Sequence, residues 1–359
     1  MKIIRFLTRT AGSADDAGKV GATDVMAYAY LAIGVLIILL PVLWTFTTSL
    51  KTERAINDFD MRFLPYAQVQ ETIPGYGEKD IWTFVDEDGV RHDVFKTGPT
   101  RAMTEVAELT APQTLFTVSR RALHPKETLH VSVENYLDPI LKRNGQDNFH
   151  FGTYVFNSVF VTLMATLITL VINAMAAFAL SKYQFRGRMT VTLLIIATLL
   201  IPGTITLVST FFVVWTLGIF GSLWGVIIPA AATPTGVFLL RQYMLTIPDE
   251  LLEAARMDAA TEWRIFWRII IPLSMPALSV LAILSVIWRW NDFLWPLIVL
   301  IADPTKHTIQ IGLSTFTGEF NSNFNYILAM TVVSLIPVTL IFVWLQRFIT
   351  TGIANTGLK

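Results

Sequence analysis

Long runs without charged side chains dominate the hydrophobic and polar pattern of this chain. Asp, Glu, Lys, Arg and His are absent from residues 25–50, 152–181, 189–240 and 320–346. A fifth run, residues 269–302, is interrupted only by Arg289 and Asp292. A membrane-spanning helix needs about 20 mostly apolar residues to cross a hydrocarbon core of about 30 Å. A surface helix of a soluble protein would show a polar stripe, and because these runs show none, the pattern predicts transmembrane helices.

Six spans are predicted, because residues 189–240 are long enough for two, with a turn near Gly218 and Gly221. The predicted spans are residues 25–50, 152–181, 189–217, 222–244, 269–302 and 325–346. Basic residues next to the spans gather in residues 1–24, 182–188, 246–268 and 347–359. Since cytoplasmic connections carry an excess of Lys and Arg, we expect both termini to be cytoplasmic tails. The first run exceeds the core of a signal peptide, so we expect it to remain as a helix.

This orientation places residues 51–151 on the extracytoplasmic side. Apolar and polar residues alternate on both sides of an acidic turn that ends at Gly89, which is typical of a β-hairpin. Such a segment could form a small core from the aromatic side chains of Trp82, Phe84 and Phe95. We therefore predict a small β-rich insertion between the first two helices, and the alternative is a solvated spacer.

Composition excludes several classes of function. The chain is 53% hydrophobic and 15% charged, with a mean hydropathy of +0.55, whereas soluble proteins hold about 25% charged residues. A formal net charge of zero argues against a nucleic-acid partner. There is no Cys, and we find no phosphate-binding loop, HExxH motif or Gly-x-Ser-x-Gly motif. We predict no enzymatic activity, no catalytic residue and no metal or cofactor in this chain, so energy would enter through a partner.

The connection at residues 246–268 carries the most specific signal. Pro248 suits the first turn of a helix, and acidic residues up to Glu253 follow where the helix dipole favours negative charge. Leu252 and Ala255 belong to an apolar stripe. The pattern is typical of a short amphipathic helix outside the bilayer. Such a helix either docks into a groove on another protein or lies passively at the membrane interface.

The spacing here resembles the EAA signature of the membrane subunits of bacterial ATP-binding-cassette (ABC) importers. That signature is Glu-Ala-Ala, three residues, Gly, nine residues, then Ile-x-Leu-Pro. The matching residues are Glu253, Ala254, Ala255, Ala259, Ile269, Ile270, Ile271 and Pro272. Ala259 replaces Gly, and Ile271 replaces Leu. Because Ala favours a continuous helix over Gly by about 1 kcal/mol, we expect a milder bend at Ala259.

The resemblance extends from Glu134 to the C-terminus and is closest to carbohydrate importers, similar to the smaller permease of maltose-type transporters. It is carried by Asn157, Ser158 and residues 178–181, 185–188, 238–243, 290–297 and 346–348. It implies an all-α membrane protein with six transmembrane helices and the type I ABC importer (MetI-like) permease fold. It also implies a multi-pass protein of the bacterial cytoplasmic (inner) membrane. The insertion at residues 51–151 is not typical of that subunit.

The function implied by the resemblance is that of a permease subunit in an ATP-driven, binding-protein-dependent importer of a sugar, oligosaccharide or polyol. The implied partners are a second permease subunit, two ABC ATPase subunits that bind ATP and Mg²⁺, an extracytoplasmic solute-binding protein and membrane lipid. Glu253 would pair with a basic ATPase residue, while Ala254 and Ala255 allow close approach. Asp258 and Ala259 would shape the following turn. ATPase closure would then drive alternating access through this helix.

The resemblance also implies functions for two further regions of the chain. The outer loop at residues 303–324 would reach toward the solute-binding protein, with Gly312, Thr315 and Gly318 permitting a tight excursion. Within the C-terminal tail at residues 347–359, residues 351–359 either reach between the ATPases or form a frayed end.

Arg289 and Asp292 are ionisable residues within a predicted span. Such groups usually face a cavity or pair with each other, and at a spacing of three they share a helix face. One interpretation is a structural ion pair. The other places Arg289, Asn291 and Asp292 along a translocation path, where the Asn291 amide could bind hydroxyl groups.

Two alternative functions remain open from the sequence. The chain could be an ABC permease for a non-sugar solute. It could instead be a membrane-embedded enzyme or scaffold that uses the acidic cluster of Asp86, Glu87, Asp88 and Asp93, although a solvated hairpin tip explains that cluster more simply.

Overall fold

The computed structural model describes residues 22–57, 62–86, 89–99, 102–141, 151–317 and 323–356. The chain forms two compact units, residues 1–132 and 133–359. Most of the predicted N-terminal tail and the last three residues of the C-terminal tail lie outside the described residues.

The first unit begins with an apolar helix, α1 (Ala22–Ser49), followed by α2 (Glu53–Asn57). Its strands are β1 (Tyr66–Gln68), β2 (Gln70–Ile73), β3 (Gly77–Val85), β4 (Arg91–Lys96), β5 (Met103–Glu108), β6 (Ala111–Ser119), β7 (His124–Pro125) and β8 (Glu127–Leu129). Most apolar side chains of α1 are exposed, including Tyr30 and Ile38. With 28 residues, α1 is long and apolar enough to cross a membrane.

Antiparallel pairing organises the strands of this unit. In the larger sheet β2, β3, β4, β5 and β6 are neighbours in that order, and β7 pairs with β3; β1 pairs with β8 separately. The hairpin predicted around Gly89 joins β3 to β4. Successive side chains of a strand point to opposite faces of a sheet. Ile81 and Phe95 therefore pack on one face, whereas Val94 and Val106 pack on the other.

The second unit is helical in the residues that the structure describes. Its helices are α3 (Glu134–Leu141), α4 (Phe151–Lys182), α5 (Arg188–Thr198), α6 (Gly203–Thr216), α7 (Leu223–Ile227), α8 (Pro234–Met244), α9 (Glu250–Met257), α10 (Glu262–Ile265), α11 (Ile271–Leu273), α12 (Met275–Asn291), α13 (Leu294–Leu300), α14 (Ile309–Ser314) and α15 (Phe324–Thr356). A π-helical turn, Phe266–Ile270, joins α10 to α11.

The helices differ from the six continuous spans that the apolar runs predict. Among the described residues, α1, α4 and the first part of α15 can each cross a membrane by length and hydropathy. Two further candidates are bent pairs: α5 with α6, at 106°, and residues 262–273 with α12, at 77°. The predicted fourth span, residues 222–244, is divided between the short helices α7 and α8.

Prolines account for most of these breaks. Pro202 has no N–H and disfavours helical dihedrals in the preceding residue, so the run at residues 189–217 bends between α5 and α6. Thr233 caps α8, whose first residue is Pro234, and the helix therefore restarts there. Pro276 lies at the start of α12, next to the 77° bend. Hydropathy predicts that a segment is apolar but not where it bends, and Pro41 within α1 and Pro337 within α15 show that a proline inside a span need not break the helix.

Candidate functional site

Helix α9, which contains the predicted docking residues, is fixed to the helical unit by its apolar face. Leu252 is buried in a cluster that includes Phe178 of α4, Met244 of α8 and Ile265 of α10. Ala255 packs against the same cluster. Full burial of a leucine side chain contributes about 1.5–3 kcal/mol. The helix is therefore part of the same body as α4, α8 and α10.

A buried ammonium group holds the start of α9. Lys182 is the last residue of α4, and its side chain is 3% exposed. Its Nζ donates to Asp249 Oδ1 at 2.6 Å and to the Ile247 carbonyl at 2.5 Å. Asp249 is the N-cap residue of α9. Movement of α9 is thus linked directly to the end of α4.

A second polar network holds the end of α9. Arg256 Nε donates to Glu262 Oε1 at 2.8 Å, and the Tyr183 hydroxyl donates to Glu262 Oε2 at 2.6 Å. Burial, and then the hydrogen bond to Glu262, raise the pKa of Tyr183 to about 12. The hydrogen bond from Arg256 lowers the pKa of the Glu262 carboxyl. The network joins α9, α10 and the residue that follows α4.

The turn after α9 is sharp, and the expectation of a milder bend was wrong. Ala259 has a φ of +54°, in the left-handed region that favours glycine. It follows Asp258, the C-cap residue. The Ala259 N–H donates to the Arg256 carbonyl and the Ala260 N–H to the Ala255 carbonyl, both at 3.0 Å. These are the two hydrogen bonds of a Schellman motif, and they hold a conformation that is unfavourable for alanine by about 1–2 kcal/mol.

The opposite face of α9 is open. Glu253, Ala254 and Met257 are exposed, and Met257 is 87% exposed. Glu253 forms no hydrogen bond or salt bridge with the residues that the structure describes. The last signature residues lie beyond the turn, with Ile269 half-buried in the π-helical turn and Pro272 exposed in α11. The exposed face of α9 therefore presents the Glu253 carboxylate, the small Ala254 side chain and the Met257 side chain.

Arg289 and Asp292 line a cavity of about 200 Å³, together with Thr169, Ser285 and other residues of the helical unit. The Arg289 guanidinium donates to Thr169 Oγ1 at 3.3 Å and to the Ala230 carbonyl. Within the described residues it forms no salt bridge with Asp292, so the structural ion pair is not a direct contact, although the two opposite charges still attract each other.

Asn291 is not among the residues that line this cavity. Its Nδ2 donates to the Ile287 carbonyl at 2.8 Å, and its side chain is exposed. Of the three residues predicted for a translocation path, the structure brings together Arg289 and Asp292.

Gly312 is a packing position rather than an exposed loop residue. It is buried in α14, and a Cβ atom there would lie 2.4 Å from Cδ2 of Tyr154. Thr315 is exposed, and its hydroxyl donates to the Gly312 carbonyl at 2.7 Å. Gly318 lies outside the described residues. The predicted contact loop therefore contains a helix whose glycine allows close approach to α4.

The acidic cluster near the β3–β4 hairpin is engaged in local contacts. Asp86 Oδ2 lies 2.9 Å from Nε2 of His92, and Asp93 accepts a hydrogen bond from Lys126 Nζ at 2.6 Å. Glu87 and Asp88 are outside the described residues. No group of His, Asp or Glu in the described part of the chain has the arrangement of a metal site.

Comparison with known proteins decides the family. Residues 170–355, just over half of the chain, match the family described as binding-protein-dependent transport system inner membrane component. The chain belongs to this family. It is thus a multi-pass membrane component of a transport system, in a family of permease subunits rather than enzymes.

Individual relatives agree with this assignment. This chain is 34% identical over 254 residues to the arabinooligosaccharides transport system permease protein AraQ of Bacillus subtilis. The alignment covers 68% of this chain and 89% of AraQ. The chain is 31% identical to the sn-glycerol-3-phosphate transport system permease protein UgpE of Yersinia enterocolitica, covering 59% of this chain and 76% of UgpE.

A solved structure shows the fold. A chain from the crystal structure of a bacterial ABC transporter involved in the import of the acidic polysaccharide alginate aligns with a TM-score of 0.62 at 21% identity. The alignment covers 94% of this inner membrane component and 98% of that chain. Together with the family match, it shows the MetI-like fold of type I ABC importer permeases, as predicted.

Three residues that hold α9 in place were not identified from the sequence: Lys182, Tyr183 and Glu262. A lysine immediately after a long apolar run was a usable signal, because an ammonium at a helix C-terminus finds carbonyl and carboxylate partners. The sequence separation of 67 residues between Lys182 and Asp249 hides which partner it finds.

Proposed function

We propose that this chain is the permease subunit of an ATP-driven, binding-protein-dependent importer of a carbohydrate or polyol. The arabinooligosaccharide permease AraQ supports a carbohydrate, and it matches over most of both chains. We further propose six membrane crossings with both termini in the cytoplasm, in which α7 and α8 together form the fourth crossing. Residues 51–151 then form an extracytoplasmic insertion. The partners would be a second permease, two ATPase subunits that bind ATP and Mg²⁺, and a solute-binding protein.

In this proposal α9 couples ATPase closure to the helices. The observation that carries it is the contrast between the two sides of α9. One side is held by Leu252, Lys182 and the Arg256–Glu262 pair. On the other side Glu253 and Ala254 are exposed, and within the described residues the Glu253 carboxylate forms no hydrogen bond or salt bridge, although it attracts the nearby charge of Arg256. A basic pocket on an ATPase could accept the carboxylate, and the alanine surface permits close approach. Force applied there would pass to α4 and α8 because the contacts on the buried side are short.

Such coupling favours one of two rigid-body states rather than deforming the core continuously. ATPase closure would move α9 together with α4, α8 and α10. The solute-binding protein would bias the same equilibrium from the other side of the membrane. We place the cavity beside Arg289 and Asp292 near the translocation path, since ionisable residues within membrane domains usually face a cavity and mark solute routes.

Reversal of the Glu253 charge tests the proposal. In the reconstituted transporter, Glu253→Lys should place like charges together at the ATPase and abolish uptake, or it should prevent the ATPases from co-purifying. Glu134→Lys is the matched control, since Glu134 is also an exposed glutamate in the first turn of a short helix. Full uptake and normal complex yield in Glu253→Lys would refute the coupling role.

A phosphorylated polyol is a second candidate solute, because UgpE belongs to an sn-glycerol-3-phosphate system. Uptake of radiolabelled arabinooligosaccharide and, in a separate assay, of radiolabelled sn-glycerol-3-phosphate into proteoliposomes with the cognate binding protein distinguishes the two. Uptake of neither compound would leave the permease assignment in place and redirect the choice of solute.

A further inference from the structure

The helix formed by residues 262–273 lies nearly perpendicular to α12. The two helices meet at a 77° bend near Ser274. Helix α12 packs along α4, which is a 32-residue candidate span. If α4 and α12 cross the bilayer, residues 262–273 run close to the membrane plane. This orientation is that of an interfacial helix.

The buried side of this helix belongs to the apolar cluster around α9. Ile265, Phe266 and Ile270 are all buried in it. The other side exposes two indoles at a spacing of four residues, Trp263 and Trp267, whose ring centroids are 5.7 Å apart in an edge-on arrangement. Tryptophan is enriched at the membrane–water interface because its ring is apolar and its N–H is polar.

A parallel row of cations lies beside the indoles. Arg264 and Arg268 are exposed, and they follow the two tryptophans at the same spacing of four. Within the described residues neither guanidinium has a hydrogen-bond or ion-pair partner. The neighbouring acid, Glu262, already accepts hydrogen bonds from Arg256 and Tyr183. Two positive charges therefore remain uncompensated next to an aromatic pair.

We propose that residues 262–273 lie in the headgroup layer and that Arg264 and Arg268 bind the phosphates of anionic phospholipids, while Trp263 and Trp267 insert beside them. A guanidinium matches a phosphate with paired N–H donors, and the indole rings fix the depth of the helix. Because Glu262 also holds Arg256 of α9, lipid bound here steadies the turn between α9 and the membrane helices. The orientation rests on the proposed function, whereas lipid binding itself does not require the ATPases.

The test measures lipid binding to the full chain purified in detergent. Brominated phosphatidylglycerol or brominated phosphatidylcholine is titrated while tryptophan fluorescence is recorded. Subtracting the signal of a Trp263→Phe/Trp267→Phe variant isolates the two indoles. We expect the anionic lipid to quench them at lower concentration than the zwitterionic lipid. Arg264→Gln/Arg268→Gln should raise the phosphatidylglycerol concentration for half quenching about 30-fold, since each basic residue near an anionic surface contributes about fivefold in affinity.

Arg120→Gln/Arg121→Gln is the control, because it removes the same charge from exposed arginines of the first unit and should leave quenching unchanged. Equal quenching by both lipids, or no effect of Arg264→Gln/Arg268→Gln, would overturn the proposal. Unchanged lipid quenching combined with loss of ATPase co-purification in that variant would also overturn it, by assigning the surface to the ATPase.

Discussion

The ammonium group of Lys182 lies 2.6 Å from the carboxylate of Asp249 and joins the last residue of α4 to the N-cap of α9. The contact is asymmetric, since the lysine side chain is 3% exposed and the aspartate side chain 75% exposed. The same ammonium also binds the Ile247 carbonyl. The lysine is therefore the indispensable partner, and Asp249 can exchange its bond with water.

Lys182→Met should remove this link while keeping the apolar stem. The Ile247 carbonyl loses its donor, which costs about 1–3 kcal/mol when such a group is buried. We expect a lower thermal unfolding midpoint and a reduced ratio of uptake to ATP hydrolysis in the reconstituted transporter. Asp249→Asn, the matched control, should lose less than about 1 kcal/mol, as is usual for an exposed ion-pair partner. A larger effect from Asp249→Asn would contradict this order.

Ala259→Gly should stabilise the turn after α9. Glycine adopts a φ of +54° without the clash that alanine experiences, although its freer unfolded chain offsets part of the gain. We expect a net increase of up to about 1 kcal/mol in the free energy of unfolding, with uptake retained. Ala259→Val should be destabilising, because a β-branched side chain is a strong outlier in this region. Denaturant titration of both variants measures the difference.

The raised pKa of Tyr183 predicts that the folded chain loses stability at alkaline pH. Its ordinary pKa is 10.0, and in the folded chain it is about 12. Between these values the folded chain keeps a proton that the unfolded chain releases, so the stabilisation is complete below pH 10 and disappears as the pH rises to about 12. Chemical unfolding at several pH values from 8 to 11 should show a steeper decline for the wild type than for Tyr183→Phe. Parallel curves would show that burial and the hydrogen bond to Glu262 do not raise the pKa of Tyr183 in the folded chain.

Gly312→Ala should disrupt the contact between α14 and α4. The added Cβ atom would meet Cδ2 of Tyr154 at 2.4 Å, so the ring or the helix must move. Overpacking of this kind typically costs about 1–3 kcal/mol. Gly152→Ala on the same helix as Tyr154 has open space around the new methyl group and serves as the control. A thermal midpoint for Gly312→Ala equal to that of the control would show that the ring moves freely.

The sequence predicted the type of each element better than its shape. The charge-free runs correspond to helices, and the alternation around Gly89 corresponds to the β3–β4 hairpin. The charge-free runs did not reveal the bends at Pro202 and near Pro276, because hydropathy measures how apolar the side chains are and not where the backbone changes direction. At the site, the Glu253 signature was recognisable from spacing alone. The conformation of Ala259 was misjudged, because helix propensity was outweighed by the two hydrogen bonds that close the turn.

The sequence by itself determined that this chain is an apolar, multi-helical member of a transport family with a specific motif between two of its helices. Hydrophobic periodicity and motif spacing are local properties of the chain, so they can be recognised in the amino-acid sequence alone. The tertiary structure decided which side of α9 is buried, that Lys182 and Glu262 hold it, and that Gly312 is a packing residue. Those facts depend on contacts between residues that are distant in the chain, and only folding brings such residues together.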